Sequence, residues 1–420
     1  MDLFEVRLSF PSERLSEIED TVRRIVTNSL GIRSLPENAT VAITAGSRGI
    51  TDFPIIVRAI ASALRNLSLH PFVVPAMGSH GGATAEGQVD VLRHLGITEQ
   101  SVGAPILSSM DVKLLGYTPG PSPFPVYMDQ HACSADGIIV VNRIKAHTAF
   151  RGSIESGLSK MIAIGLGKIT GASFIHGAGV QDMAINIEEV SKYALEHAHI
   201  ALGIAILENG YDETADIVGV EPNEWHSKEA RLLLRSKAMM LRLPIDDIDL
   251  LVVEQMGKTF SGSGMDPNII GRWRIAGMPE PAAPKVKRLV VLDLADSSGG
   301  NAQGIGLADF TTKALTQKIN TTATYTSTIT STFLQRAMLP MTFDNEKEAI
   351  EAALRSLGPE REPTKVSLVQ IPNTLHLEKM FVSASVLETM KRQKVPFELI
   401  GTSSLTFDAS GCIVSKITRS

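Results

Sequence analysis

The stretch VAITAGSRG, residues 41–49, sets four small or β-branched apolar residues and one threonine directly before a glycine-flanked Ser47-Arg48 pair. A run that is apolar at consecutive positions and too short for a helix reads as a strand covered on both faces. The same arrangement recurs twice. FVVP at 72–75 runs into Gly78-Ser79-His80-Gly81-Gly82, and GIIVV at 137–141 runs into Asn142-Arg143-Ile144-Lys145-Ala146-His147. Between these strands, residues 53–64 place Ile55, Ile56, Ala59, Ile60 and Leu64 on one helical face. Residues 84–95 repeat the pattern behind a Thr84 cap, with Glu86 early in the helix. IALGIAIL at 200–207 is again apolar on both faces. This alternation predicts an α/β fold with a largely parallel sheet. In such sheets ligands bind beyond the carboxyl ends of the strands, where the chain delivers Arg48, His80 and His147 to one edge.

A second set of elements begins near residue 246. DLLVV (249–253), RLVVL (288–292), 365–370 and 397–400 read as strands, and 307–315, 346–357 and 377–394 as helices. The basic stretch 227–243 reads as an amphipathic helix closed by Pro244. The expectation is therefore two α/β domains, 1–243 and 244–420, with an active-site cleft between them. A chain of 420 residues exceeds one ordinary core, which agrees. With 40 basic and 45 acidic residues the net charge is −5, giving no reason to expect nucleic acid or a membrane surface as a partner. Two cysteines supply neither a disulfide framework nor a thiolate zinc site. The leading MDLFEVRLSFPSERLSEIED has no basic lead and no long apolar core, so it does not read as a secretion signal. No apolar run approaches the roughly 20 residues that span a bilayer. The expected location is the cytoplasm, and no pattern points to a particular oligomer.

Taken singly, the polar residues stay ambiguous. Lys160 lies beside an apolar helical face formed by Ile154, Leu158, Met161 and Ile162 across 155–164. It reads either as a covalent anchor whose amine is made less basic by burial, or as a snorkelling lysine. Gly165-Leu166-Gly167 with Gly171 lacks the dinucleotide-loop spacing. His176 is a lone histidine, a poor metal ligand without further donors. TTATYTSTITST at 321–332 is β-prone and has no assigned role. SSGGNAQGIG at 297–306 reads as a closing loop or a wide β–α turn. The flanking Asp293, Asp296 and Asp309 do not amount to a magnesium site.

Together, VAITAGSRGITDF, VPAMGSHGGATAEGQ, VVNRIKAHTAFRGSIESGLSKMIAIGLGK and the trailing His176 resemble the nickel-dependent lactate racemase family, and most closely its diversified homologues. The likeness is concentrated in about residues 40–180 and continues weakly through EQMGKTFSGSGMDPNIIGR at 254–272. Members of that family carry a nickel-pincer nucleotide, a pyridinium mononucleotide joined to a lysine. Two sulfurs and a carbon of the cofactor hold the nickel together with one protein histidine. The resemblance therefore implies that Lys160 anchors the cofactor, His176 ligates nickel, His80 and His147 are the two catalytic acid/bases, and Arg48 grips the substrate carboxylate. It also implies partner proteins that synthesise the cofactor. The chemistry is coherent. Proton abstraction from the carbinol carbon of a 2-hydroxy acid would build a dianion, so removal of hydride with loss of the hydroxyl proton is the easier route.

The departures bear on the substrate. Ser47-Arg48-Gly49 stands for the family's Thr-Arg-Pro, and Gly78-Ser79-His80-Gly81 for its Gly-Thr-His-Arg. The segment after His147 is longer and adds Arg151 and Glu155, which read equally as pocket residues or as a surface ion pair. In the second half, Lys258, Asp266, Asn268, Arg272 and Arg274 have no one-to-one match, and Lys258 and Arg272 are the expected substrate contacts. The expectation is a racemase or epimerase of a 2-hydroxy acid other than lactate, such as a sugar acid or a dicarboxylate. Two rival readings are an oxidoreductase using another hydride carrier and a non-catalytic binder of cofactor or carboxylate. His197, His199, His226 and His376 read as structural.

Overall fold

A computed structural model describes residues 1–359 and 362–419, which divide into two compact units. The unit Pro11–Met240 is built on a five-stranded sheet ordered His70–Pro75, Thr40–Ala45, Gly137–Arg143, Ile200–Glu208 and Thr214–Val220. The first four strands are parallel and the last is an antiparallel edge. Alternate residues feed two separate cores, as the strand pleat dictates. Val41, Ile43, Ile139, Val141, Ile204 and Ile206 meet helices Ile18–Asn28 and Phe53–Asn66. Ala42, Ile138, Val140, Ala205 and Leu207 meet helices Met183–His197 and Trp225–Met239 on the other face. With both faces covered, consecutive apolar residues are what the strands require. Thr84 caps helix Ala85–His94 as expected, its hydroxyl accepting from the Gly87 amide.

The second unit joins Met1–Phe10 to the chain from Leu241 onward. Its eight-stranded sheet runs Met341–Phe343, Phe310–Thr312, Lys285–Leu294, Asp247–Met256 and Leu368–Ile371 in parallel, then Lys379–Ser383, Asp2–Leu8 and Phe397–Ser404 antiparallel. The expected boundary is thus corrected at the N-terminus. Asp2–Leu8 lies between two late strands and buries Leu3, Val6 and Leu8 with them.

Three element assignments also change. Residues 307–315 are not one helix: Phe310–Thr312 is a strand whose backbone pairs in parallel with Val290 and Val291, while the Thr311 and Thr312 hydroxyls donate to the Val291 and Leu292 carbonyls. The segment 377–394 opens with strand Lys379–Ser383 before helix Ala384–Arg392. The threonine-rich segment is a helix, Thr321–Ser331, started by the Asn320 side chain accepting the Ala323 amide. Among the described residues no single helix is long and apolar enough to cross a membrane. The apolar pair 158–166 and 168–177 is sharply bent.

Candidate functional site

The parallel register brings the ends of three strands of the first unit to one edge. Thr40–Ala45 leads into Ser47 and Arg48, His70–Pro75 into His80, and Gly137–Arg143 into His147. The loop after Pro75 turns tightly enough to need glycine at Gly81. Its φ is +65°, and a Cβ there would lie 2.5 Å from the Gly87 carbonyl carbon. Ser47 Oγ and His80 Nδ1 share a hydrogen bond, which ties the first two strand ends together.

Lys160 and His176 are 16 positions apart, about 24 Å along a straight helix. The chain does not run straight. Residues 145–156 first form a loop closed by paired backbone bonds between Lys145 and Ser156, and the helix begins only at Leu158. After Lys160 it widens into π geometry over Met161–Leu166, and it then breaks by 111° before Lys168–Gly177. The bend folds the His176 segment back toward Lys160. Gly165 allows the widened turn to touch the loop after Pro75, since a Cβ there would lie 2.7 Å from the Ala76 oxygen, and Gly165 accepts the Gly78 amide.

The electrostatics link four of the expected residues. His80 is reached by solvent, yet desolvation by the surrounding protein, then the charges of Arg48, Lys160 and His176, lower its imidazole to about 4. Burial and Arg48 lower the Lys160 amine to about 8. His176 is likewise exposed on one side, and desolvation on the other together with Lys160 makes it less basic. Arg48 is reached by solvent, yet desolvation and the Arg143 cation lower it too. The cations that perturb this quartet are Arg48, Lys160 and Arg143, which make the cluster electropositive. Arg143 is itself paired with Glu208, which is nearly buried.

His147 is positioned separately. The buried Glu155 carboxylate accepts the His147 amide at 2.6 Å and binds Lys237 at 2.7 Å, while Arg151 donates to the His147 carbonyl at 2.7 Å. The expected Arg151–Glu155 ion pair forms at 3.7 Å, but its carboxylate is buried and also binds Lys237 and the His147 amide, so Glu155 is an internal brace for the loop. The ring stacks on Phe150 and accepts the Ala149 amide at Nδ1, 3.1 Å away. Neutral His147 therefore carries its proton on Nε2.

In the second unit, Lys258 is half-buried, its ammonium donating to Gly262 O and Gln303 Oε1. The expectation that Arg272 binds substrate is corrected. Its guanidinium is buried, donates to the carbonyls of Leu307, Val286 and Lys287, and pairs with Asp309 at 2.7 Å, so it is an internal strut. Asp293 and Asp296 pair with Lys318, and residues 297–306 bond to helix Thr321–Ser331 through Asn301 and Gln303, as in a packed β–α turn. His197, His226 and His376 each bond a near neighbour: Tyr193 O, Ser191 Oγ and Asn373 Nδ2.

Sequence reasoning missed the groups behind the site. Glu229, fully buried, accepts the Ser159 amide and hydroxyl beside Lys160, and burial pushes its carboxyl up to about 7. Lys168, Gln88 and Asp129 form a buried polar cluster under the His80 loop. No spacing rule marks these residues. The only signal was a lysine inside an otherwise apolar, glycine-rich run.

No family model matches the chain, and no curated protein matches it in sequence. Solved structures do. The lactate racemase apoprotein from Thermoanaerobacterium thermosaccharolyticum superposes with a TM-score of 0.50 at 13% identity, over 89% of this chain and 98% of that one. A Thermotoga maritima protein gives 0.47 at 13% identity, over 68% and 72%. The first likeness shows a shared α/β fold.

Proposed function

We propose that the protein interconverts configurations at the hydroxyl-bearing carbon of a 2-hydroxy acid, with a nickel-pincer nucleotide held by Lys160 and His176. The observation that carries this reading is the 111° bend, which turns His176 back toward Lys160 beside Arg48 and His80. The residues suit that group. An amine lowered to about 8 offers free base near neutral pH for a covalent attachment. Among the described residues no three His, Cys, Asp or Glu side chains gather as a metal cluster, so a metal on His176 needs ligands that arrive with a cofactor. When bound, the group supplies a reversible acceptor for the hydrogen that leaves the carbon.

The chain's own residues do the rest. Arg48 stays charged at neutral pH and binds the carboxylate with a two-pronged fork, leaving the other substituents free to turn. His80, lowered to about 4, is neutral under ordinary conditions and ready to take the hydroxyl proton. His147 presents an Nε2–H donor while Ala149 occupies Nδ1. For the mirror-image substrate it becomes a base after that bond opens and the ring proton moves to Nδ1. The two bases start from unequal states.

The test is a screen of 2-hydroxy acids for interconversion of deuterium-labelled enantiomers or epimers, using protein co-produced with the cofactor-synthesis enzymes. His80→Ala and His147→Ala should each lower the rate by about 10²–10⁴-fold while the attached cofactor remains. Wild-type rates in both variants would refute the two-base reading.

A further inference from the structure

We infer that Gln88, set by the buried Lys168–Asp129 pair, is a positioning residue that holds the His80 loop, and that the same lysine pins the bend carrying His176. Lys168 is fully buried, and it sits at the first position after the 111° break with φ +53°, a left-handed conformation unfavourable for any residue with a Cβ. Glycines stand at 165, 167 and 171, yet the strained position keeps a lysine. Its side chain explains why. Nζ donates to Pro75 O at 2.5 Å and Gln88 Oε1 at 2.9 Å, and lies 3.2 Å from Asp129 Oδ2. Asp129 is equally buried, its other oxygen accepting the Ala132 amide.

Gln88 converts that anchor into loop geometry. Its Oε1 faces Lys168, which fixes the amide orientation, so Nε2 points at the carbonyls of Gly78 and His80, at 2.9 and 3.3 Å. A loop whose carbonyls turn inward needs buried donors, and the cation beneath supplies their direction. One buried lysine therefore ties strand end Pro75, the His80 loop and the start of the His176 helix to a common point.

The test separates this inference from the catalytic reading on which its kinetic arm rests. In the cofactor-free protein, Gln88→Met keeps volume and the Lys168–Asp129 pair but removes both donors. Amide exchange at Gly78, His80 and Ala83 should quicken about tenfold or more, while strand Gly137–Arg143 keeps its wild-type rates. Leu64→Ala, in the opposite core layer, serves as a control for general destabilisation and should not single out that loop. Lys168→Met combined with Asp129→Leu, which removes both buried charges together, should loosen the same amides. In loaded, active enzyme, Gln88→Met should lower kcat about 10- to 100-fold with KM changed less than about threefold.

Unchanged exchange in Gln88→Met, or equal loosening in Leu64→Ala, would overturn the inference whether or not the protein racemises anything. A loosened loop with undiminished kcat in active enzyme would overturn it as well. If the loaded wild type converts no 2-hydroxy acid, the proposed function fails, and the exchange comparison alone decides the positioning role.

Discussion

The loops carrying His80 and His147 leave strands that flank Thr40–Ala45 on opposite sides, and buried charges of opposite sign hold them. The backbone group that each loop turns inward decides the sign. Around His80 the carbonyls of Gly78 and His80 face the core, and a donor oriented by Lys168 meets them. At His147 the amide faces inward, and the Glu155 carboxylate meets it. The rings differ in the same way. Ser47 can donate to or accept from His80 Nδ1, whereas the Ala149 amide can only donate to His147 Nδ1. Similar strand ends thus present two imidazoles with different proton inventories.

The largest effect is expected of Lys168→Met alone, which leaves Asp129 buried without its cation. It should lower stability by about 3–5 kcal/mol in urea unfolding, and adding Asp129→Leu should recover most of that loss. A loss under about 1 kcal/mol would mean that the pair does not anchor the His80 side. Glu155→Gln is milder, because a neutral oxygen still accepts the His147 amide while the Lys237 pairing is lost. A cost of about 1–3 kcal/mol is expected, with faster exchange confined to residues 147–155. Loosening at the His80 loop instead would show that the two braces are not independent. The smallest effect concerns the cations on the His80 side. Amine-reactive labelling of Lys160, followed by mass spectrometry against pH, should rise with a midpoint near 8 rather than near 10.5. Because Arg48 is one cause of the lowering, Arg48→Leu should move the midpoint upward by a fraction of a unit. A midpoint at the ordinary lysine value would remove the argument for a free amine at neutral pH.

The parallel strands of the first unit and the polar residues at their ends were legible because consecutive apolar residues have few other uses. Strand polarity brings three polar clusters to one edge, and the resemblance singles out Arg48, His80 and His147 within them. The apolar setting of Lys160 leaves an anchor and a snorkelling lysine open, and only the resemblance chooses between them and pairs Lys160 with His176, since helical periodicity places the two far apart and nothing in local propensity announces a left-handed lysine at the bend. Burial decides the remaining cases. Arg272 looks like a ligand-binding cation beside Gly271, yet its partners Leu307, Val286 and Asp309 lie 14 to 37 positions away. Asp2–Leu8 pairs with strands about 380 residues later, beyond any local signal.

In the proposed function, Lys160 and His176 together hold a nickel-pincer nucleotide. Intact-mass spectrometry with nickel analysis, on protein co-produced with the cofactor-synthesis enzymes, tests it most directly. The expected result is a mass increment that disappears in Lys160→Ala, with about one nickel per chain that falls sharply in His176→Ala. An unmodified, nickel-free chain from cells that load a known member of the lactate racemase family would contradict it.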